Sequence, residues 1–175
     1  DRSRGLGDVY KRQLMPDDKE MDDSRSSLHV DMSWRRDKLS AFVDYNRVSD
    51  DDFISDFSSN VRESSETVLP QEYALRYDET YWNTSINVKK NQALTFDHID
   101  YYKPYERVPQ ITFNGYNGDF YGFEVGTTIE ATRFEHPTFT TGDRFVFEQT
   151  VSYPMRGAGW FVVPKGTSVS YTHLT

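Results

Sequence analysis

At 175 residues the chain is long enough for one domain with a sizeable core. Its hydrophobic content is only 36%, yet twelve tyrosines, twelve phenylalanines and three tryptophans fit strands with rings packed across the pleat better than a helical bundle. A net charge of −8, with acid concentrated at residues 17–23 and 50–52 and no basic stripe, excludes a protein that binds nucleic acid by counterion release. The absence of cysteine removes thiol catalysis, Fe–S ligation and disulfides within this segment. No run reaches the roughly 18 apolar residues of a membrane helix, which says nothing of barrel strands, where every second residue can be polar.

The two ends differ in character from the rest. DRSRGLGDVYKRQ (1–13) and VSYTHLT (169–175) resemble translated sequencing-library adapters, and both are expected to be non-native flanks, set aside from the reading of the fold. The first residues contain no apolar signal-peptide core and no initiating Met, so the chain reads as a piece of something longer.

Between the flanks, LHVDMSW (28–34) and LSAFVDYNRVS (39–49) read as strands joined through the short charged linker RRDK, a hairpin of unspecified turn type. Ser and Asp in SDDDFISDFSSN favour a turn or a cap for one helical turn around Phe53–Phe57, and 58–68 reads as a loop or poorly ordered strand edge. Tyr73, Leu75 and Tyr77, then Trp82, Ile86 and Val88 after a break near Glu79, imply two strands or one bent one. Leu94, Phe96 and His98 continue a face towards YYKPYERVP, where Pro104 and Pro109 are expected at strand ends or in the connection. Ile111 and Phe113 start a strand expected to end at Asn114–Gly115, and of the two Asn–Gly pairs the second, Asn117–Gly118, is favoured as the hairpin turn.

The clearest strand follows. Tyr121, Phe123, Val125, Thr127, Ile129, Ala131 and Arg133 share one face, and Gly122, Glu124, Gly126, Thr128, Glu130 and Thr132 the other. After HPTFTTGD, Phe145, Phe147, Val151 and Tyr153 lie opposite Val146, Glu148, Thr150 and Ser152, with Gln149 interrupting the apolar face. Pro154 stops this strand, Gly157 and Gly159 supply a loose turn, and GWFVVPKG begins another short strand. Segments of about ten residues with one apolar and one polar face suit a transmembrane barrel wall. They also suit a soluble sheet packed on one side, and periodicity leaves both open.

Three segments resemble the barrel domain of the LPS-assembly protein LptD family, the organic solvent tolerance proteins of Gram-negative outer membranes. They are VDYNRVSDDDFISDFSS; YYKPYERVPQITF, through Pro104, Tyr105, Arg107, Pro109 and Gln110; and TTGDRFVFEQTVSYPMRGAGWFVVPK, through Gly142, Arg144, Pro154, Phe161 and Pro164. Order and spacing agree over roughly residues 25–168. The resemblance implies an all-β, antiparallel transmembrane β-barrel fragment over 14–168, drawn from the middle of a very large barrel and forming an open curved sheet when isolated. It further implies a non-catalytic wall segment of a lipopolysaccharide transport and insertion protein of the outer membrane, with no cofactor. Lipopolysaccharide is then the transported substrate, and an LptE-like lipoprotein plug and an LptA-like periplasmic bridge are partners of the full-length parent. Arg107, Pro109, Gly142, Arg144, Pro154 and Pro164 become structural candidates.

Catalytic readings are weaker. Glu124 and Glu130 share a face but are six residues apart, about 20 Å along a strand, too far for paired-carboxylate glycosidase chemistry. Asp97, His98 and Asp100 suggest a metal site only if Asp97 and His98 do not alternate. Arg107 is expected to anchor a loop through a charge-assisted bond to a carboxylate. The competing class is a soluble β-sandwich carbohydrate-binding module with stacking aromatics; a porin or a secreted glycosidase fragment is a third.

Overall fold

A computed structural model describes residues 7–18, 23–57, 68–94 and 103–174. Among these the chain forms β1 (Gly7–Asp18), β2 (Asp23–Arg36), β3 (Leu39–Val48), α1 (Phe53–Phe57), β4 (Val68–Asp78), β5 (Trp82–Ala93), β6 (Glu106–Phe120), β7 (Phe123–Glu135), β8 (Gly142–Ser152), β9 (Met155–Gly157), β10 (Trp160–Val162) and β11 (Lys165–Leu174). Nine strands make one antiparallel sheet in the order β1-β2-β3-β4-β5-β6-β7-β8-β11, and β9 with β10 makes a separate hairpin. Neighbours in sequence are neighbours in space, so each pairing is closed by a local connection. The sheet is not closed on itself: β1 and β11 are its edges. Residues 7–13 and 169–174, the expected non-native flanks, are strand residues here, paired with β2 and β8.

Register carries the two-faced pattern across the sheet. One row runs Trp34, Ala41, Leu75, Ile86, Ile111, Ala131, Phe145, and the neighbouring row on that face includes Leu39, Tyr77, Thr84, Phe113, Ile129 and Phe147. The opposite face carries Ser40, Arg76, Ser85, Thr112, Glu130 and, in the next row, Phe42, Ala74, Asn87, Gln110, Thr132, Arg144. The buried polar residues Asn91, Thr132 and Ser152 lie on this second face, while Leu75, Ile86, Ile111, Phe123 and Phe145 stand exposed on the first. That is the reverse of a water-soluble sheet, whose apolar side is covered.

Three expectations need correcting. The β6–β7 hairpin turns at Tyr121–Gly122, not at an Asn–Gly pair: Phe120 pairs with Phe123, and Tyr121 (φ 54°) and Gly122 (φ 84°) both take the left-handed conformation that a two-residue primed turn demands. Tyr121 and Gly122 therefore belong to the turn and not to the strand. Asn117–Gly118 instead precedes a register shift between Asn117 and Phe120, where the Asn117 side chain accepts from the Asp119 amide. Pro109 does not end a strand: it lies inside β6, after a cis Val108–Pro109 peptide, where register shifts against both neighbours. Val108 and Pro109 together oppose one residue on each side, so the missing amide donor falls at a bulge and not at a ladder position.

Other elements agree with the sequence. The β2–β3 hairpin closes over Asp37–Lys38 with Asp37 at φ 50°, α1 forms at Phe53–Phe57, and the break near Glu79 separates two strands. Pro104 lies in the connection before β6. Ala158–Gly159, expected as part of a loose turn, is a tight one, with Trp160 paired to Gly157. Residues 58–67 and the Phe96–His98 continuation lie outside the described residues.

Candidate functional site: the polar face and its loop anchors

Two groups of polar side chains organise the long-loop end of the sheet. The first is on the polar face of β6, β7 and β8. Glu130 accepts hydrogen bonds from Arg144 Nη2 at 2.5 Å, Gln110 Nε2 at 3.0 Å and Thr132 Oγ1 at 3.0 Å. Arg107 Nη1 donates to Gln110 Oε1 at 3.0 Å, so Arg107, Gln110, Glu130 and Arg144 form one chain of contacts. The carboxylate expected for Arg107 is therefore one residue removed, with the Gln110 amide between. Arg144 also lies over the Phe134 ring, 5.1 Å from its centroid. A guanidinium that both stacks and bonds a carboxylate is fixed in orientation as well as charge.

The bulge builds this group. Simple alternation would place Arg107 on the apolar face with Ile111 and Phe113. The extra residue in β6 instead aligns Arg107 with Lys89 and Phe134, on the face of Gln110. Pro109 is thus positional in its role. Gly142 opens β8 opposite Phe134, two residues before Arg144. Beside it, Tyr105 packs on Phe134, His136 and Phe139, and its hydroxyl donates to the Thr140 carbonyl at 3.2 Å. The His136 ring bonds the Lys103 carbonyl and accepts from the amides of Thr138 and Phe139, tying the two connections together. His136 and Phe139 were not singled out from sequence; an HPTF turn opposite a KPY segment is the signal that could have found them.

The second group is a clamp around Arg25, also missed. Arg25 is 4% exposed and bonds Asp50 through Nε (3.0 Å) and Nη2 (2.5 Å), Asp56 through Nη1 (2.8 Å), and lies over Phe53. Ser49 closes it: its amide donates to the Ser26 carbonyl and its hydroxyl to Asp50. Burial pushes the Asp50 carboxyl up, but the bonds from Arg25 and Ser49 outweigh it and hold it below the ordinary carboxylate value. The clamp lies against a small core of Val48, Phe53, Leu69 and Leu94, with Ile54 packed on it. The acidic tract SDDDFISD thus folds back on β2 instead of trailing into solvent.

Pro154 and Pro164 flank the β9–β10 hairpin at the other end, and the Tyr153 amide donates to the Pro164 carbonyl at 3.0 Å. The structure therefore joins Arg107 and Arg144 in one network with Pro109 and Gly142 adjoining it, and leaves Pro154 and Pro164 apart. Glu124 shares the polar face with Glu130 but bonds Ser152 at 2.8 Å and no residue of the network. Asp97, His98 and Asp100 lie outside the described residues. The geometry is that of side chains holding strands and loops in place; each carboxylate of the two groups is met by an arginine.

Comparison with known proteins agrees with this architecture. The family described as LptD, LPS transport system D, matches residues 25–175. Curated relatives named LPS-assembly protein LptD include that of Ralstonia nicotianae, 32% identical over 93% of this chain and 20% of the relative. That of Cupriavidus necator is 33% identical over 94% of this chain and 21% of the relative, and that of Nitrosospira multiformis 35% identical over 78% and 15%. The chain spans about a fifth of the length of the relatives it matches. With its antiparallel two-faced sheet and a match over residues 25–175, the chain belongs to the LptD family.

Proposed function

We propose that this chain is a wall segment of an outer-membrane β-barrel whose full-length parent transports and inserts lipopolysaccharide, without covalent catalysis or a cofactor. One observation carries the reading. The sheet leaves its apolar rows exposed and packs its polar rows against one another, which suits lipid outside and water inside. Strands of 10–15 residues are long enough to cross a bilayer at a tilt. The soluble sandwich module would need a second layer over Phe123, Phe145 and Val151, and these stand 41%, 42% and 38% exposed.

Connection lengths support an orientation. Turns 37–38, 79–81 and 121–122 gather at one end, with the longer connection 153–164 folded there as the β9–β10 hairpin, and connections 49–67, 94–105 and 136–141 lie at the other. Short turns face the periplasm and long loops the exterior in such barrels. The Arg25 clamp and the Glu130 network then brace outer loops, and the polar face lines the lumen, where an LptE-like plug would dock. An LptA-like bridge would engage parts of the parent beyond this segment.

The barrel portion is taken as 14–168, with 1–13 and 169–175 as flanks of other origin. Sequencing the intact parent gene across both junctions tests the boundaries. The function is tested by reconstituting the parent with its plug and bridge proteins and following lipopolysaccharide to the outer leaflet. Delivery is expected; a folded, assembled parent that delivers none would overturn the reading.

A further inference from the structure

The β9–β10 hairpin extends past the last sheet pairing, Ser152 with Lys165, and its strands pair with each other alone. Trp160, Phe161, Val162 and Val163 follow one another and are all exposed, Phe161 at 75%. A soluble projection with four consecutive large apolar residues in water is an aggregation liability. The Trp160 indole covers Gly157 so closely that a Cβ there has no room, which fixes the ring to the hairpin. Phe120, Tyr121, Phe123 and Tyr153 stand exposed at the same end, with Phe123 and Tyr153 in ring contact at 4.8 Å, so the apolar face of the sheet continues into the hairpin. None of residues 153–168 is acidic in a chain of net charge −8, and Arg156 and Lys165 bracket the apolar run.

We propose that β9–β10 is a membrane-interface anchor: it beds Trp160 and Phe161 at the acyl–headgroup boundary of the leaflet on the short-turn side, with Arg156 on anionic phospholipid headgroups. The inference rests on the barrel reading. Aromatic rings favour that boundary, and cations flanking them add attraction to anionic lipid. A second copy or a protein partner would cover the same residues, but the continuity with the apolar rows and the local excess of positive charge select lipid.

The test uses the full-length parent in nanodiscs of phosphatidylcholine containing phosphatidylglycerol, with a fluorescent amino acid in place of Phe161 or, as a control, of Asp37. Gel heat-modifiability of the same samples reports barrel formation. The label at 161 is expected to be quenched by lipids brominated near the headgroup and protected from aqueous iodide, with the label at 37 showing the converse. Arg156→Gln is expected to abolish any preference for brominated phosphatidylglycerol over brominated phosphatidylcholine. In a formed barrel, iodide access at 161 equal to that at 37 would overturn the anchor alone, as would protection from iodide without lipid quenching, which marks a protein cover. Failure to form a barrel in lipid would overturn the anchor together with the reading beneath it.

Discussion

Arg107 and Gln110 are three residues apart on one strand yet share its polar face, because Val108 and Pro109 together oppose a single residue on each neighbouring strand. The Arg107–Gln110 hydrogen bond depends on that bulge. Deleting Val108 closes the bulge: Arg107 then stands two residues from Gln110 and keeps the polar face, but Pro109 is forced into a ladder position opposite Val88 and Arg133. A ladder position without an amide donor leaves a neighbouring carbonyl unpaired, at a cost of about 1–3 kcal/mol. Refolding of the parent into lipid should fall for the deletion and recover when Pro109→Val restores the donor, while Arg107→Gln should fold nearly as well as the unaltered protein. Heat-modifiability on a gel measures each of these.

Val125 and Thr128 test the facing of β7. Register is unbroken from Glu124 to Phe134 against β8, so no bulge reverses the faces between them. Val125 is the third residue of β7, close to the Tyr121–Gly122 turn, so an arginine there meets lipid near the interface and costs less than the about 2–4 kcal/mol of the midplane, whereas at Thr128 the charge stays hydrated. Thr128→Arg still loses a hydrogen bond to Asn114, worth about 1 kcal/mol. The parent should fold less well with the first substitution than with the second; equal yields at matched expression would mean that the face or membrane assignment is wrong.

Arg144→Leu removes the cation bonded to Glu130 and stacked on Phe134. Both partners retain solvent contact, 36% and 21% by side chain, so screening reduces the loss to about 1 kcal/mol. Adding Glu130→Gln should recover part of it, since a neutral amide does not require the guanidinium. Denaturant unfolding in lipid, read as a double-mutant cycle with the single variants, gives the coupling; strictly additive losses would show the pair to be uncoupled.

The Arg25 clamp should be acid-sensitive. Asp50 titrates below its ordinary value in the folded state, so its contribution is complete above the unfolded pKa, near 3.9. That contribution disappears as pH falls through the lowered folded value. Hydrogen exchange of amides 49–56 should therefore rise below about pH 4, before the β-strand ladders open. Arg25→Met should give fast exchange in this segment already at neutral pH and flatten its acid response.

Much of the fold is legible from residue order alone. Period-two alternation with Tyr and Phe on one side locates β2 to β8 and fixes which residues share a face, because side-chain direction in a strand repeats every two residues. The tract SDDDFISD announces α1, and the ordered proline, arginine and glycine segments announce the family. Local pattern could not place the β6 bulge or the Tyr121–Gly122 turn. Asn–Gly is a strong turn former in isolation, but pairing with β7 continues past both such pairs and moves the turn to where Phe120 meets Phe123.

The site divides in the same way. Sequence determined that Arg107, Gln110, Glu130 and Arg144 are polar residues in or beside strands, since composition and alternation are properties of the chain. Their assembly into one network was decided by tertiary structure: inter-strand register brings residues 14 and 20 positions apart into contact, and a bulge sets the facing of Arg107. Arg25 is the sharper case. In sequence it is one more charge in a polar stretch; only the return of the chain after β3 places Asp50 and Asp56 around it and excludes water. Contacts between residues distant in sequence depend on how strands pair, and no local periodicity encodes that pairing.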